Sequence, residues 1–245
     1  MISRVHAFTD FDRRAGSYAR HARLQREAAG WLAEWLAPQI ESPALEVGAG
    51  TGFFTAHLLD RAREIIAIDA SPRMVEHGRS AYPSARWATA DAANPPADGR
   101  PYRGIYSCSL LQWLPDPEAV FRRWHDLAAP GAGLLAGWFV QGTMESLVEV
   151  CPEMAPFRWR SPQEWESLLG AAGWSTERRE VRKFEVAHAT SALMLREVHN
   201  IGAVVTQRLG TGKLRGALRT HDARFGRSGA VTTPFVFMRL QARRA

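Results

Sequence analysis

Cysteine is scarce in this chain of 245 residues, which has only Cys108 and Cys151. Two cysteines provide neither the disulfide framework of a small secreted domain nor a metal site, so a reducing cytoplasm is the simplest setting. Cys108 lies in an apolar run and is expected to be a small core residue. Apolar runs are also short: none reaches the roughly 18 residues that a membrane-spanning helix needs, so we expect no membrane partner.

A leader sequence is not expected, because charged residues such as Arg4, Asp10 and Arg13 stand near the N-terminus in place of an apolar stretch. We therefore expect a cytoplasmic protein. Internal repeats and low-complexity tracts are likewise absent from the sequence. The chain is 46% hydrophobic and 23% charged, which is enough apolar material for a core and is not the composition of a disordered protein. Its length predicts one large α/β domain with room for an insertion.

The stretch 44–52, with the sequence ALEVGAGTG, is the segment around which the chain is organised. Its apolar start predicts a buried parallel strand, its glycines predict a tight turn, and a helix is predicted over 51–59. Such a turn lets the backbone approach a ligand, and the helix N-terminus offers unpaired N–H groups to an anionic group. The dinucleotide-binding pattern G-x-G-x-x-G/A fits poorly, because Phe53 takes the position of its last small residue. An ordinary glycine-rich turn is the alternative.

Hydrophobic runs that alternate with helical patterns predict the rest of the fold. Five strands with helices between them indicate a parallel sheet with right-handed crossovers, and the segment 231–242 predicts an antiparallel closing strand. Residues 1–10 are expected to be a loose start, and 208–229 carries no predicted element. The strands predicted between the first and the last are 64–68, 85–89, 104–109, 134–139 and 175–187. The predicted helices are 12–36, 51–59, one that opens at residues 71–72, 116–127, 143–150, 161–171 and 190–206.

An acidic residue follows the second predicted strand. Asp69 lies 21 residues after Gly48, where a carboxylate meets ribose hydroxyls in nucleotide-binding α/β folds. Ser71 and Pro72 then give a favourable start to the next helix, with serine as the N-cap. Because ligands lie beyond the carboxyl ends of the strands in open α/β sheets, residues 109–113 after the fourth strand should line the same pocket.

Two motifs resemble those of the class I S-adenosylmethionine-dependent methyltransferases: E-x-G-x-G-x-G over 46–52 and D-x-S-x-x-M over 69–74. The resemblance implies a Rossmann-like α/β fold with a seven-stranded, mostly parallel sheet, helices on both faces, an N-terminal covering helix and a helical insertion after strand five. S-adenosylmethionine is the implied cofactor. Asp91, after the third strand, matches the family residue that accepts from the adenine amino group, with a helix-capping role as the alternative. The implied cofactor-binding residues are Glu46, Gly48, Ala49, Gly50, Gly52, Asp69, Ala70, Met74, Asp91, Ala92, Ser109, Gln112 and Trp113.

The expected single domain divides into four regions. Residues 1–42 form a covering helix, 43–140 the Rossmann-like core that binds the cofactor, 141–230 an insertion or lid with the substrate region, and 231–245 the closing strand. In small-molecule methyltransferases a segment like the first one often covers the active site. A plain packing helix is the alternative for this segment.

Four further stretches are similar to the malonyl-acyl-carrier-protein O-methyltransferases of biotin synthesis: 11–25, 109–114, 139–147 and 195–203. This resemblance implies methylation of the free carboxylate of a malonyl thioester, which an acidic acyl-carrier protein delivers on a phosphopantetheine arm. Asn200 departs from the family, which often carries a basic residue there, and this weakens the case for anion contacts from that helix. Another small-molecule carboxylate or a phenol is the alternative substrate. A non-catalytic protein that binds S-adenosylmethionine or RNA is the second alternative.

A carboxylate is ionised at pH 7, so its methylation needs no general base, and catalysis can rest on positioning and desolvation. The site then needs a gate against water and a cation for the carboxylate, for which an arginine fork is suited. For each candidate arginine, the alternative is that it is an ordinary solvated residue of the surface. His21 could equally face solvent. The candidate catalytic residues are Tyr18, His21 and Arg196. The candidate substrate-binding residues are Tyr18, Gln112, Trp113, Gln141, Arg158 and Arg196, with Arg160 beside them.

The formal net charge of +6 is concentrated near the C-terminal end. From Arg196 to Ala245 there are ten Lys or Arg and two acidic residues, a net charge of +8, so the remainder is near −2. A basic segment around 208–227 would steer an acidic carrier protein to the site. It would also suit RNA, but we see no RNA-binding accessory domain and no aromatic–basic module in the sequence, so we expect no nucleic-acid partner.

Overall fold

The computed structural model of the chain describes residues 4–97, 99–155, 157–203 and 209–244, with backbone alone for 4–10. Helices and strands alternate through these ranges. The α-helices are α1 (Arg4–His21), α2 (Arg23–Ala33), α3 (Thr55–Leu59), α4 (Pro72–Ala81), α5 (Pro117–Leu127), α6 (Glu145–Val150), α7 (Pro162–Ala171), α8 (Ser191–Asn200) and α9 (Thr211–Phe225). The strands are β1 (Ala44–Val47), β2 (Ile65–Asp69), β3 (Arg86–Thr89), β4 (Tyr102–Cys108), β5 (Ala128–Phe139), β6 (Trp174–His188), β7 (Gly226–Arg227) and β8 (Ala230–Arg244). None of the helices in the described ranges is long and apolar enough to cross a membrane.

The eight strands form one sheet in the order β3-β2-β1-β4-β5-β8-β6, with the two-residue β7 paired to β8. Strands β1 to β5 are parallel, and β8 runs antiparallel between β5 and β6. The predicted seven-stranded, mostly parallel sheet is confirmed, with the short β7 as an addition. Because β1, β2 and β4 lie side by side and end at the same edge, Gly48, Asp69 and Ser109 are brought together there.

Apolar layers cover both faces of the sheet, as predicted. The layer between the sheet and helices α5 and α7 contains Trp124, Trp138 and Trp165, which are fully buried. The layer on the opposite face contains Leu32 of α2 and Leu58 of α3, which are also fully buried. Burial of each large apolar side chain contributes about 1.5–3 kcal/mol, so these layers hold the strand ends in place beneath the site.

The N-terminal segment differs from the prediction. Helix α1 begins at Arg4, so residues 4–10 are helical and the expected loose start is wrong for them. The single helix predicted over 12–36 is two helices that break at Ala22, whose backbone leaves the helical region (φ −84°, ψ 47°). Ala22 is fully buried at this change of direction, which lets α1 pack against α4 and α8 while α2 packs against β4 and β5.

Two helical segments flank the final strands. Helix α6 and a 3-10 turn at Pro152–Met154 lie between β5 and α7, which confirms the predicted insertion after strand five. Helices α8 and α9 lie between β6 and β8, so a second helical segment interrupts the closing hairpin. Helix α9 occupies most of 208–229, for which the sequence predicts no element. The helix predicted over 190–206 ends at Asn200 in the structure, and 204–208 lie outside the described residues.

A buried polar network fixes α9 in place. The ring of His221 is fully buried, with Nδ1 2.6 Å from Ser191 Oγ and Nε2 2.9 Å from Ser146 Oγ. Asp222 Oδ1 accepts a hydrogen bond from the Ser191 N–H at 2.7 Å. These bonds tie α9 to the first turn of α8 and to α6. They explain why a glycine-containing, arginine-rich segment without a clear apolar stripe is helical here.

Candidate active site

The turn after β1 is built by glycines with positive φ. Gly48 and Gly50 have φ values of +72° and +56°, a region that favours glycine. Helix α3 begins after this turn, later than the sequence predicts. A Cβ on Gly48 would lie 2.7 Å from Leu110 Cδ2, so there is no room for a side chain. A Cβ on Gly52 would instead meet the ring of Tyr82 at 2.5 Å. Gly48 and Gly50 thus border a cavity, whereas Gly52 packs the turn against α4.

Asp69 is held by two backbone donors at the end of β2. The Gly50 N–H donates to Oδ2 and the Ser71 N–H donates to Oδ1, each at 2.9 Å. Burial raises the pKa of Asp69, and these backbone hydrogen bonds oppose the shift. Asp69 borders the cavity together with Ala70 and Met74. Because a carboxylate has about four acceptor positions, Asp69 can accept two further hydroxyl groups from a ligand.

Glu46 lies in β1 beneath the glycine turn and is 1% exposed. Burial raises the pKa of Glu46 to about 8; a hydrogen bond from Thr55 Oγ1 to its Oε2, at 2.6 Å, opposes the shift, and the charge of Asp69 adds to it. Glu46 borders a small cavity together with Ala49 and Tyr18. A buried carboxyl group that is largely protonated near pH 7 ionises more readily when a cation binds beside it.

Two cavities meet above this edge of the sheet. The turn cavity, about 80 Å³, lies over the glycine turn and Asp69, and the aromatic cavity, about 60 Å³, lies beside it. The residues that border both are Phe11, Tyr18, Ser109 and Trp113. The backbone of Ser109 has a φ of +63°, which is uncommon for a residue other than glycine and places its side chain in this shared wall. Ligands in the two cavities would therefore touch across these four residues.

A row of aromatic rings covers both cavities. Tyr18 stacks on Phe53 with 5.8 Å between ring centroids, and Phe11 packs edge-on against Tyr18 at 6.5 Å and Trp113 at 5.3 Å. Burial raises the pKa of the Tyr18 phenol, which therefore stays protonated and can donate a hydrogen bond. Small-molecule sites usually have about 300–1,000 Å³, so these rings must move apart when ligands enter.

Helix α1, which carries two of these rings, is tethered on both sides of the site. Asp12 Oδ1 accepts a hydrogen bond from Ser71 Oγ at 2.7 Å, beside the N-terminus of α4. On the other side, Arg14 Nη2 lies 2.7 Å from His199 Nε2 on α8. These bonds hold the aromatic cover over Asp69. Sequence analysis did not identify Asp12 as a site residue, because its partner is far away in the chain and no local pattern points to it.

Two residues that border the aromatic cavity each have a buried polar atom without a hydrogen-bond partner among the described residues. Gln112 Nε2 donates to Ser109 O at 2.8 Å, but Oε1 of the same amide has no partner. Trp159 Nε1 is likewise buried without a partner. All the described side chains that border this cavity are uncharged. Those that sequence analysis did not identify are Phe11, Gln25, Phe139, Thr143, Met144, Trp159, Val198, Ile201, Ala203 and Phe235.

Comparison with known proteins identifies a methyltransferase domain. A family model described as "Methyltransferase domain" matches residues 44–131, which contain the glycine turn, Asp69 and the turn after β4. This chain is an S-adenosylmethionine-dependent methyltransferase. The crystal structure of the YcgJ protein from Bacillus subtilis has a similar fold, with a TM-score of 0.66 over 89% of this chain and 98% of that chain, at 15% identity.

Three relatives of this methyltransferase have names that state an activity or a pathway. A malonyl-[acyl-carrier protein] O-methyltransferase from Halorhodospira halophila is 28% identical over 222 residues, which are 86% of this chain and 74% of that protein. The biotin biosynthesis bifunctional protein BioHC from Cellvibrio japonicus is 31% identical over 60% of this chain and 30% of that protein. A trans-aconitate 2-methyltransferase from Methylobacterium radiotolerans is 38% identical over 48% of this chain and 46% of that protein. The chain spans less than half of the length of the last two relatives.

S-adenosylmethionine is the cofactor of this methyltransferase, and when bound it supplies the methyl group from its sulfonium. The residues around the turn cavity fit it. Asp69, fixed by its backbone donors, would accept the ribose hydroxyls. Gly48 and Gly50 leave the backbone open to the ligand, and Glu46, beneath the turn, would be an acidic partner for its cationic end. Met74 borders the cavity and would give the adenine an apolar wall.

Three further residues considered in the sequence analysis differ in how they lie relative to the turn cavity. Ala92 borders the cavity. Asp91 Oδ1 accepts a hydrogen bond from the Ala93 N–H at 2.9 Å, so it caps a turn, and its contact with adenine stays a prediction. Cys108, expected in the core, is half-buried and borders the cavity at the end of β4. Burial raises the pKa of its thiol to about 12, so Cys108 stays protonated.

Five predicted catalytic or substrate-binding residues border neither the turn cavity nor the aromatic cavity. The guanidinium group of Arg160 lies over the ring of Trp165. Arg158 is exposed and pairs with Glu164. Gln141 is exposed after β5, Arg196 lies on the exposed face of α8, and His21 is exposed at the end of α1. Their roles in binding and catalysis stay predictions.

Proposed function

We propose that this methyltransferase methylates the free carboxylate of a malonyl thioester bound to an acyl-carrier protein. The observation that carries the proposal is the aromatic cavity, around which every side chain that the structure describes is uncharged. A carboxylic acid has a pKa of about 4 and arrives ionised at pH 7, whereas a phenol must first lose a proton to a base. A buried, uncharged cavity therefore suits a nucleophile that brings its own charge.

Neutral donors would orient the carboxylate in this cavity. The phenol of Tyr18 and the indole of Trp159, whose N–H has no partner among the described residues, border it. Such donors replace part of the water that the carboxylate loses, and they leave more charge on its nucleophilic oxygen than an arginine fork would. The aromatic cover excludes water during the transfer. Catalysis then depends mainly on holding one carboxylate oxygen in line with the bond that breaks.

The names of the relatives support a carboxylate acceptor, since malonyl groups and trans-aconitate both carry free carboxylates. The malonyl-[acyl-carrier protein] O-methyltransferase is similar over most of this chain, which favours the thioester. The trans-aconitate 2-methyltransferase is more similar but over a shorter region. It favours a second candidate function, methylation of a free small-molecule polycarboxylate in the same cavity.

Positive charge on α9 supports an acyl-carrier protein as the binding partner. Arg215 and Arg219 are exposed and have no acidic partner among the described residues. Lys213 is compensated by Glu153 at 2.5 Å, and Arg208 of the predicted basic segment lies outside the described residues. An acidic carrier protein would be steered toward α9, and its association rate would fall as salt screens the charges.

The test is an initial-rate assay of methyl transfer from labelled S-adenosylmethionine to four acceptors: malonyl-carrier protein, acetyl-carrier protein, free malonate and trans-aconitate. We expect the highest kcat/KM with malonyl-carrier protein and no transfer to acetyl-carrier protein, which has no free carboxylate. A higher kcat/KM with trans-aconitate or malonate would replace the proposal with the second candidate. Transfer to none of the four, with S-adenosylmethionine binding intact in calorimetry, would contradict both.

A further inference from the structure

A groove of about 650 Å³ lies between the α1–α2 junction, β6 and α8. Apolar side chains such as Leu24, Phe184 and Met194 line part of it. The groove is much larger than the aromatic cavity and lies next to it. The residues that border both are Gln25, Val198, Ile201 and Phe235. A chain lying in the groove could therefore extend past these four residues to the reacting centre.

One wall of the groove is the free edge of β6. Residues 182–188 all border the groove, although successive side chains of a strand point to opposite faces, so the groove follows the strand edge and not one face. In the described part of the sheet, β6 is paired on one side only, with β8. Alternate residues along it therefore direct their N–H and C=O groups into the groove. This stretch spans about 20 Å and offers hydrogen bonds to a linear ligand that contains amides.

Uncompensated positive charge lies at the α1–α2 end of the groove. Arg20 and Arg23 are exposed, border the groove and have no acidic partner among the described residues. The other charged residues of the rim are paired across or along it. These pairs are Arg182 with Glu27 at 3.9 Å, Lys183 with Glu185 at 3.0 Å, and His188 with Glu197 at 2.9 Å. The two free guanidinium groups suit an anionic group, above all a phosphate.

We propose that this groove binds the arm that carries the substrate: a linear, amide-containing thioester chain that ends in a phosphodiester. The inference rests on the proposed function and locates the entry route of its substrate. The acyl end passes Val198 and Phe235 into the aromatic cavity. The amides of the arm pair with the free edge of β6, and the phosphodiester lies against Arg20 and Arg23. The carrier protein then stands outside the α1–α2 end of the groove, and the charge on α9 acts on its approach and not on its final position.

The experiment compares variants on three malonyl thioesters without the carrier protein: malonyl-N-acetylcysteamine, malonyl-pantetheine and malonyl-phosphopantetheine. Val186→Trp places a bulky ring in the groove. Val181→Trp is the matched control, because Val181 is on the same strand, is 42% exposed and does not border the groove. We expect Val186→Trp to lower kcat/KM about tenfold or more for the two long thioesters and to leave the short one within about twofold of wild type. The control should match wild type on all three.

A charge-reversal pair tests the phosphate end of the groove. Arg20→Glu combined with Arg23→Glu should raise KM about tenfold for malonyl-phosphopantetheine and leave KM for malonyl-pantetheine unchanged, because only the former carries a phosphate. Arg63→Glu combined with Arg103→Glu is the matched control, because both arginines are exposed and border neither the groove nor the two cavities, and it should change neither value. Equal effects of the two double variants on malonyl-phosphopantetheine would contradict a specific phosphate position.

Calorimetric binding of S-adenosylmethionine at wild-type affinity will show that each variant is folded. If Val186→Trp keeps wild-type kinetics on the long thioesters, or loses activity equally on all three, the groove is not the site of the arm. The proposed function would then still stand, provided that the wild type methylates malonyl-carrier protein. If the wild type methylates no malonyl thioester, the proposed function fails and the groove proposal fails with it.

Discussion

Glu46 should couple the stability of the ligand-free protein to pH. Its carboxyl group is 1% exposed, and burial raises its pKa to about 8 in the folded protein from an ordinary value of 4.5. Between these two values the folded protein keeps a proton that the unfolded chain has released. By linkage, the free energy of unfolding therefore falls as the pH rises through this window, and the loss is complete above about pH 8.

The size of the effect follows from the two pKa values. Each pKa unit corresponds to about 1.36 kcal/mol, so the full loss across the window is on the order of 5 kcal/mol. About 2 kcal/mol of it has already been lost at pH 6, which leaves about 2–3 kcal/mol between pH 6 and pH 8.5. Glu46→Gln removes the titrating group but keeps an oxygen that can accept from Thr55 Oγ1. The variant should therefore lack this part of the pH dependence.

The assay is urea denaturation of the wild type and Glu46→Gln without cofactor, at pH 6 and at pH 8.5. The difference between the two proteins cancels the titration of groups that both share. We expect the wild type to lose about 2–3 kcal/mol more than the variant over this interval, with equal m-values. Equal losses in the two proteins would refute the raised pKa of Glu46 and the reasoning built on its burial.

Three further substitutions test other residues of the site. Asp69→Ala should weaken S-adenosylmethionine binding by about 1.5–3 kcal/mol in calorimetry, the scale of hydrogen bonds to a charged group, and an unchanged Kd would remove its ribose role. Trp159→Phe keeps an aromatic ring but removes the N–H. It should lower kcat/KM for the malonyl thioester about tenfold at unchanged cofactor affinity. Wild-type kinetics would show that the indole N–H does not touch the substrate. Asp12→Asn weakens the hydrogen bond to Ser71 and should speed amide exchange in α1 about fivefold while β1 is unaffected, whereas unchanged exchange would show that this bond does not hold the cover.

The cofactor half of the site could be predicted because its requirements are local. Gly48 and Gly50 are needed for their positive φ values, and Asp69 follows from its place at the end of a strand. Each of these properties belongs to one residue and its immediate neighbours, so spacing along the chain reveals it. The alternation of strands and helices predicted the sheet for the same reason.

The cover and the substrate half could not be predicted, because they depend on contacts between distant segments. Phe11 and Trp159 come from α1 and the insertion, and nothing local to either marks it as part of one cavity. Helix α9 was missed because its glycines and arginines hide its pattern, while the bonds of His221 that stabilise it are tertiary. Arginines were predicted near the substrate from the chemistry of carboxylate binding, but Arg158 and Arg196 lie on the surface, since residue type alone does not determine burial.

Intact-mass spectrometry of malonyl-carrier protein tests the central claim most directly. The carrier is incubated with this methyltransferase and S-adenosylmethionine, in parallel with acetyl-carrier protein and with the Asp69→Ala variant. The account predicts the gain of one methyl group on the malonyl arm, none on acetyl-carrier protein, and a slower gain with the variant at limiting cofactor. No gain on malonyl-carrier protein, or a methyl group on the polypeptide of the carrier instead of its acyl group, would contradict the account.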